Sequence, residues 1–246
     1  MFLTRSKIAM IVAEFLGTGV LTAVILAVSR SSVGLPYFVA LAAGLVLVGL
    51  TMALGSASGA HFNPAITIGM WSARKVATLP AIVYVAAQVL GGIVAYLLYT
   101  YFVNAHWANS GHFESRVMVA EAVGAFVFSL GWAAVVFQKM EGAKAAALVG
   151  ISLILGIFVA STASAGLLNP AVALGLRMWV WGTYVLGPIL GAVIGFNLYG
   201  LLFAPEGSFL AMPAKKQAAV AAAKSAPAPV AKKTTTSKTA SKKKKK

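Results

Sequence analysis

The polar residues that could do chemistry in this chain come in pairs. Asn63-Pro64-Ala65 and Asn169-Pro170-Ala171 are the same tripeptide. Glu14-Phe15-Leu16-Gly17 is echoed by Glu121-Ala122-Val123-Gly124, and the two glutamates precede their asparagines by similar distances, 49 and 48 residues. His61 stands just before the first pair member. With three histidines, no aspartate and no cysteine, there is little material for a metal site, acid–base catalysis, a disulfide or a thiolate. No metal, no cofactor and no enzymatic chemistry are expected.

Asparagine is a strong helix N-cap, and proline is favoured at the first helical position. Each Asn-Pro therefore starts a helix. Capping spends the asparagine side-chain oxygen on its own backbone and leaves the amide NH2 of Asn63 or Asn169 free to donate. The helix end beside it carries the positive end of the dipole. Two such ends facing each other suit a neutral, oxygen-bearing solute and repel cations, hydronium included.

The elements that must bring these tips together are apolar. Hydrophobic residues make up 60% of the 246 and charged residues 10%, against about 25% charged in a soluble domain. Six runs reach the roughly 20 residues that cross a bilayer. They are Ile8–Val28, Pro36–Ala57, Leu79–Val103, Val117–Phe137, Ala145–Ala163 and Val180–Phe203. The first is longer than a signal-peptide core and contains Glu14, so it reads as a retained span. Glu14 and Glu121 are the only formal charges inside the six runs.

The runs repeat too: Gln88-Val89-Leu90-Gly91 in the third matches Pro188-Ile189-Leu190-Gly191 in the sixth. The expected fold is an all-α membrane protein with six transmembrane helices plus two re-entrant half-helices, an inverted three-span repeat. An odd number of spans per unit makes the second unit enter from the opposite side. The half-helices, about 63–72 and 169–178, are each roughly 15 Å long. That is half of the ~30 Å hydrocarbon core, so their tips meet near its midplane. Seventeen of the twenty Lys and Arg fall on one side, Arg5, Lys7, Arg74, Lys75, Lys139 and Lys144 among them. By the positive-inside rule both termini are then cytoplasmic.

The segments before the caps, 58–62 and 164–168, must be non-helical at membrane depth. Such backbone survives only when buried in protein or lining water. Gly59, Ala60, His61, Ala165, Gly166 and Leu167 are therefore expected to line the pore through carbonyls or side chains. Glu14 and Glu121 are expected to accept from loop N–H groups, because an intramembrane carboxylate needs a partner. A reading from another class makes them the carboxylates of a proton-coupled transporter, although no span holds a histidine or basic partner for them.

The paired motifs SGAHFNPA and SAGLLNPA make the chain, from about Ile8 to Phe203, resemble the major intrinsic proteins, the aquaporin and glycerol-facilitator family. The resemblance implies a right-handed helical bundle with one pore per subunit, a homotetramer in a cell membrane, and water or small neutral solutes as cargo. It also exposes departures. Most of the family has Arg after the second Asn-Pro-Ala, where this chain has Val172. Carried over by spacing, the selectivity filter is Leu45, Ile157, Gly166 and Val172, with Ala43 as the alternative to Leu45. No polar side chain remains in it, so it should be wider, and hydrophobic constrictions can dewet. A similar filter occurs in some plant vacuolar relatives, a class associated with urea, ammonia and hydrogen peroxide as well as water. Ala173 stands where glycerol facilitators have Asp, while Arg177 matches their basic residue. Tyr184 suits the water side, but Val185 replaces the usual Trp. The solute therefore stays open between water and a channel mainly for ammonia, urea, glycerol or hydrogen peroxide.

Residues 1–203 are expected to form the channel domain, with repeat one at 8–103 and repeat two at 117–203. Residues 204–246 are expected to be a disordered Lys/Ala-rich cytoplasmic tail. The tail carries a net charge of +10. It reads either as a solvated charge run or as an attachment to anionic lipid, at about 1 kcal/mol per basic residue near the surface. It has no aromatic residue beyond Phe209, which argues against nucleic acid. A third reading makes the spans an anchor for a working tail.

Overall fold

The computed structural model describes residues 4–31, 36–106, 111–205 and 208. The described α-helices are α1 (Arg5–Arg30), α2 (Pro36–Ser58), α3 (Pro64–Ser72), α4 (Thr78–Val103), α5 (Ser115–Phe137), α6 (Gly142–Ala160), α7 (Pro170–Gly175) and α8 (Gly187–Leu202). A π-helical segment, Trp181–Leu186, leads into α8. Counting that segment with α8, six helices among the described residues are long and apolar enough to cross a membrane. α3 and α7 are the two short ones. Apart from 204, 205 and 208, the expected tail lies outside the described residues.

Three boundaries differ from expectation for local reasons. α6 ends at Ala160 rather than 163, because Thr162 and Ala163 donate to the carbonyls three residues back and tighten the chain into a turn. The sixth span starts as a π-helix because Pro188, lacking an N–H, cannot support the ordinary ladder there. The Gly187 N–H donates instead to Gly182, five residues back. The half-helices are unequal: α3 has nine residues and α7 six. Each stops at an arginine in the left-handed region, Arg74 at φ 60° and Arg177 at φ 62°. Lys75 N–H then reaches back to the Met70 carbonyl, and Met178 N–H to Ala173, the Schellman closure of a helix end. The closure comes about one turn earlier after Asn169 than after Asn63, so the expected equal lengths are corrected.

The helices pack with the symmetry of the repeat. α1 packs on α2 and α4, and α5 packs on α6 and α8; α2 and α6 join the halves. Each half-helix crosses over, α3 onto α8 and α7 onto α4. Glycines at the crossings let backbones touch. A Cβ on Gly91 would stand 2.3 Å from the Phe15 carbonyl oxygen, and one on Gly191 would stand 2.0 Å from that of Ala122. This is the physical content of the shared Val-Leu-Gly and Ile-Leu-Gly stretches in α4 and α8.

Candidate functional site

The site is built from the two caps. Asn63 Oδ1 accepts from Ala65 N–H at 2.8 Å and Ile66 N–H at 3.5 Å. Asn169 Oδ1 accepts from Ala171 N–H at 3.0 Å and Val172 N–H at 3.3 Å. The amides are not wholly free, as the capping argument alone implied. Asn63 Nδ2 donates to the Leu168 carbonyl at 2.9 Å, and Asn169 Nδ2 donates to the Phe62 carbonyl at 2.8 Å. Each half-helix is thus tied to the other's loop, and each NH2 keeps one further proton to give.

Those crossed bonds require the residue before each cap to turn its carbonyl away from its own helix. Phe62 and Leu168 do so in the left-handed region, at φ 47° and 51°. That conformation costs a non-glycine residue roughly 1–2 kcal/mol. The carboxylates hold it in place. Glu14 accepts from His61 N–H at 3.0 Å and Phe62 N–H at 2.8 Å, one on each oxygen. Glu121 accepts from Leu167 N–H at 2.9 Å and Leu168 N–H at 2.7 Å, again one on each oxygen. Both carboxylates are fully buried, and each has a third donor: Gln88 Nε2 at 2.7 Å for Glu14, and the Ser164 hydroxyl for Glu121.

The glycine three residues after each glutamate completes the seat. A Cβ on Gly17 would lie 2.2 Å from the Phe62 ring, and one on Gly124 would lie 2.7 Å from Leu168 Cδ2. Residues three apart share a helix face. The Glu-x-x-Gly motif is therefore one stripe that grips the loop backbone and admits its apolar side chain.

His61 is fixed by a second network. Thr67 Oγ1 donates to the Asn63 carbonyl at 3.0 Å and accepts from Gln88 Nε2 at 2.9 Å. His61 Nδ1 lies 3.1 Å from the same hydroxyl. With the hydroxyl proton already given, Nδ1 must be the donor in that contact. Nε2 of the neutral ring is then an acceptor. The ring meets Tyr84 and Trp132 edge-on, at 5.1 and 5.9 Å between centroids.

Two cavities meet at His61. The larger, about 640 Å³, opens toward the loop joining α5 and α6 and is lined by Gly59, Ser56, Trp132, Lys139 and Glu141 among others. The smaller, about 10 Å³, holds Asn63 and Asn169 together with Ala43, Ile157, Leu167 and Val172. A single water needs roughly 10–15 Å³ measured this way, so this cavity has room for about one water. Of the residues expected from sequence, His61, Leu167, Ile157 and Val172 line the small cavity and Gly59 the large one. Ala60, Ala165 and Gly166 line neither. Gly166, at φ 64°, lies against Ile157 instead.

Leu45 does not belong to the site. It is 66% exposed on the outside of the bundle, while Ala43 is fully buried and faces the cavity. Two residues along a helix is a rotation of about 200°, so the choice between 43 and 45 is a choice of opposite faces. Leu21, Leu47, Phe128 and Leu153 also line the small cavity, and sequence reasoning missed them. A signal for two was present: Leu21 and Phe128 each follow their glutamate by two helical turns. Among the described residues no three His, Cys, Asp or Glu side chains cluster as a metal would need.

Residues 2–199 match the family model described as Major intrinsic protein. The chain is 29% identical to Aquaporin Z of Photorhabdus laumondii over 225 residues, covering 79% of this chain and 97% of that protein. It is 32% identical to Glycerol uptake facilitator protein-like 6 of Lactiplantibacillus plantarum over 199 residues, covering 74% and 92%. The crystal structure of the aquaglyceroporin from Plasmodium falciparum superposes with a TM-score of 0.63 at 23% identity, over 78% of this chain and 95% of that one.

Proposed function

The chain belongs to the major intrinsic protein family, whose aquaporins are passive channels and not enzymes, and we propose that Asn63 and Asn169 are the paired donors at the centre of its pore. It is an integral membrane protein that passes water and small neutral solutes. The observation behind the proposal is the crossed pair of amide bonds at a cavity with room for about one water. Each amide has one proton left, and both helix N-termini point there. A water at the centre must accept from the amides, so its own hydrogens turn outward toward both ends of the file. Such an orientation interrupts a proton relay, and the converging dipole ends disfavour any cation.

The selectivity filter is Ala43, Ile157 and Val172, apolar throughout and on the same small cavity as the two asparagines, with Gly166 contributing only as the backing of Ile157. Solutes there depend on backbone carbonyls, and the filter selects by size and cost of desolvation rather than by a cationic donor. His61 Nε2 is the acceptor at the other end of the file. Glu14 and Glu121 support the loops. Proton-coupled transport is not favoured, since all four of their oxygens accept hydrogen bonds and neither residue lines either cavity.

The subunits assemble as a homotetramer in a cell membrane, with the face carrying Arg74, Lys75 and Lys139 in the cytoplasm together with both termini. The basic tail meets anionic lipid there. The test is stopped-flow osmotic shrinkage of proteoliposomes with an impermeant osmolyte. Fast shrinkage with a weak temperature dependence is expected. Shrinkage no faster than that of empty liposomes would mean that the apolar filter dewets, and that water is not the main cargo.

A further inference from the structure

The hydrogen-bond network around His61 exists in one repeat only. Counted from the Asn-Pro-Ala motifs, His61 corresponds to Leu167 and Thr67 to Ala173, while Gln88 of the Gln-Val-Leu-Gly stretch corresponds to Pro188. The carboxylates and serines of the loops recur: Glu14 and Glu121, Ser58 and Ser164. Where the histidine is absent, the threonine and the glutamine are absent with it, although the loop is held all the same. Thr67 and Gln88 are fully buried, and neither lines either cavity. Burying a hydroxyl and an amide costs free energy unless each finds partners, and their partners lead to the imidazole.

We propose that Thr67, oriented by Gln88, is a positioning residue for permeation: it holds the His61 proton on Nδ1, so that the ring meets the water file only as an acceptor. The inference rests on the reading that His61 ends a file whose centre is the Asn63 and Asn169 amides. Gln88 Nε2 gives one proton to Glu14 at 2.7 Å and the other to Thr67 Oγ1 at 2.9 Å. Its Oε1 has no partner, and a flipped amide would aim that oxygen at the carboxylate, so the orientation is fixed. Thr67 therefore meets a donor on the α4 side. Its hydroxyl gives its own proton to the Asn63 carbonyl and accepts from His61 Nδ1, three bonds in all. Turning the hydroxyl toward Nδ1 keeps two of them and moves the ring proton to Nε2. Each hydrogen bond is a net gain, so the first arrangement wins. Waters that accept from the asparagine amides point their hydrogens outward. The bare Nε2 of a ring that lines both cavities receives one of those hydrogens. A ring protonated on Nε2 would meet hydrogen with hydrogen.

The experiment is nitrogen-15 NMR of the histidine side chains of the full chain in proteoliposomes, with stopped-flow water permeability per folded channel from the same samples. His61→Leu assigns the His61 signals among the three histidines. The wild type is expected to carry its proton on Nδ1 with Nε2 bare. Thr67→Val keeps the shape and removes the acceptor. The proton should then move to Nε2, and water permeability should fall roughly two- to tenfold, the scale of one hydrogen bond's net contribution. Thr67→Ser should restore both. In a His61→Leu background Thr67→Val should change permeability no further, a result that a merely structural threonine would not produce. If Thr67→Val does not assemble, Thr67→Ala serves, since Ala173 holds the same place in the other half-helix. A wild-type ring protonated on Nε2, or an equal loss from Thr67→Val with and without His61, overturns the proposal. A wild type that passes no water overturns the pore reading and the permeation role with it; the spectrum needs no flux, so it tells that failure from a misplaced proton.

Discussion

Replacing Glu14 by glutamine keeps the shape of the side chain and removes its charge, which isolates what the carboxylate does. In the wild type its two oxygens accept from His61 N–H, Phe62 N–H and Gln88 Nε2. An amide has one oxygen, so one of the two backbone N–H groups must face an NH2. The least costly arrangement turns the NH2 toward His61 and keeps the Phe62 and Gln88 bonds. A buried donor left unpaired costs about 1–3 kcal/mol, and each remaining bond falls from the charged to the neutral class, losing about 1 kcal/mol more. The sum is about 3–5 kcal/mol. At about 2–4 °C per kcal/mol for a chain of this size, Glu14→Gln should lower the midpoint of thermal unfolding in detergent by about 10 °C. The loop should also relax, because Phe62 has lost part of what holds it in the left-handed region. Water flux per folded channel should therefore drop, with no dependence on an imposed pH gradient before or after the change. A midpoint within about 2 °C of wild type, well under the roughly 6 °C that the lower end of this sum requires, would refute the structural role. Flux that is driven by a pH gradient in the wild type and insensitive to it in Glu14→Gln would assign the carboxylate to proton transfer.

Three further outcomes can be checked with the same preparations. Val172→Arg adds a long cationic side chain to the selectivity filter, and it should lower urea and glycerol passage relative to water in solute-driven swelling. Gly191→Ala places a methyl 2.0 Å from the Ala122 carbonyl oxygen. The backbone there cannot yield cheaply, so thermal unfolding should show a loss of about 1–3 kcal/mol, whereas Gly49→Ala, with nothing within 4 Å of its Cβ, should gain about 0.5–1 kcal/mol from helix propensity.

The sequence alone determined whatever depends on local chemistry and on the repeat. Six apolar runs, two Asn-Pro starts and the matched Glu-x-x-Gly stretches give the six helices, the two half-helices and the two repeats. Those signals are legible because bilayer thickness and helix capping act on neighbouring residues. Glu14 and Glu121 could be assigned to the loops for the same reason: a buried carboxylate must find donors, and only the loop backbone has them to spare.

Other features were decided by the fold. That Ala43 and not Leu45 faces the cavity depends on how α2 rotates against its neighbours, and apolar residues on both faces of a membrane helix leave no amphipathic stripe to mark the inner one. That each asparagine gives one proton to the opposite loop depends on two chain ends from different repeats meeting within 3 Å. α7 stops a turn early because its closing hydrogen bonds form around Arg177, and no residue type there announces it. That Leu21, Leu47, Phe128 and Leu153 line the cavity with the asparagines depends on how helices packed closely at Gly91, Gly124 and Gly191 are turned, a property of packing that no single segment contains.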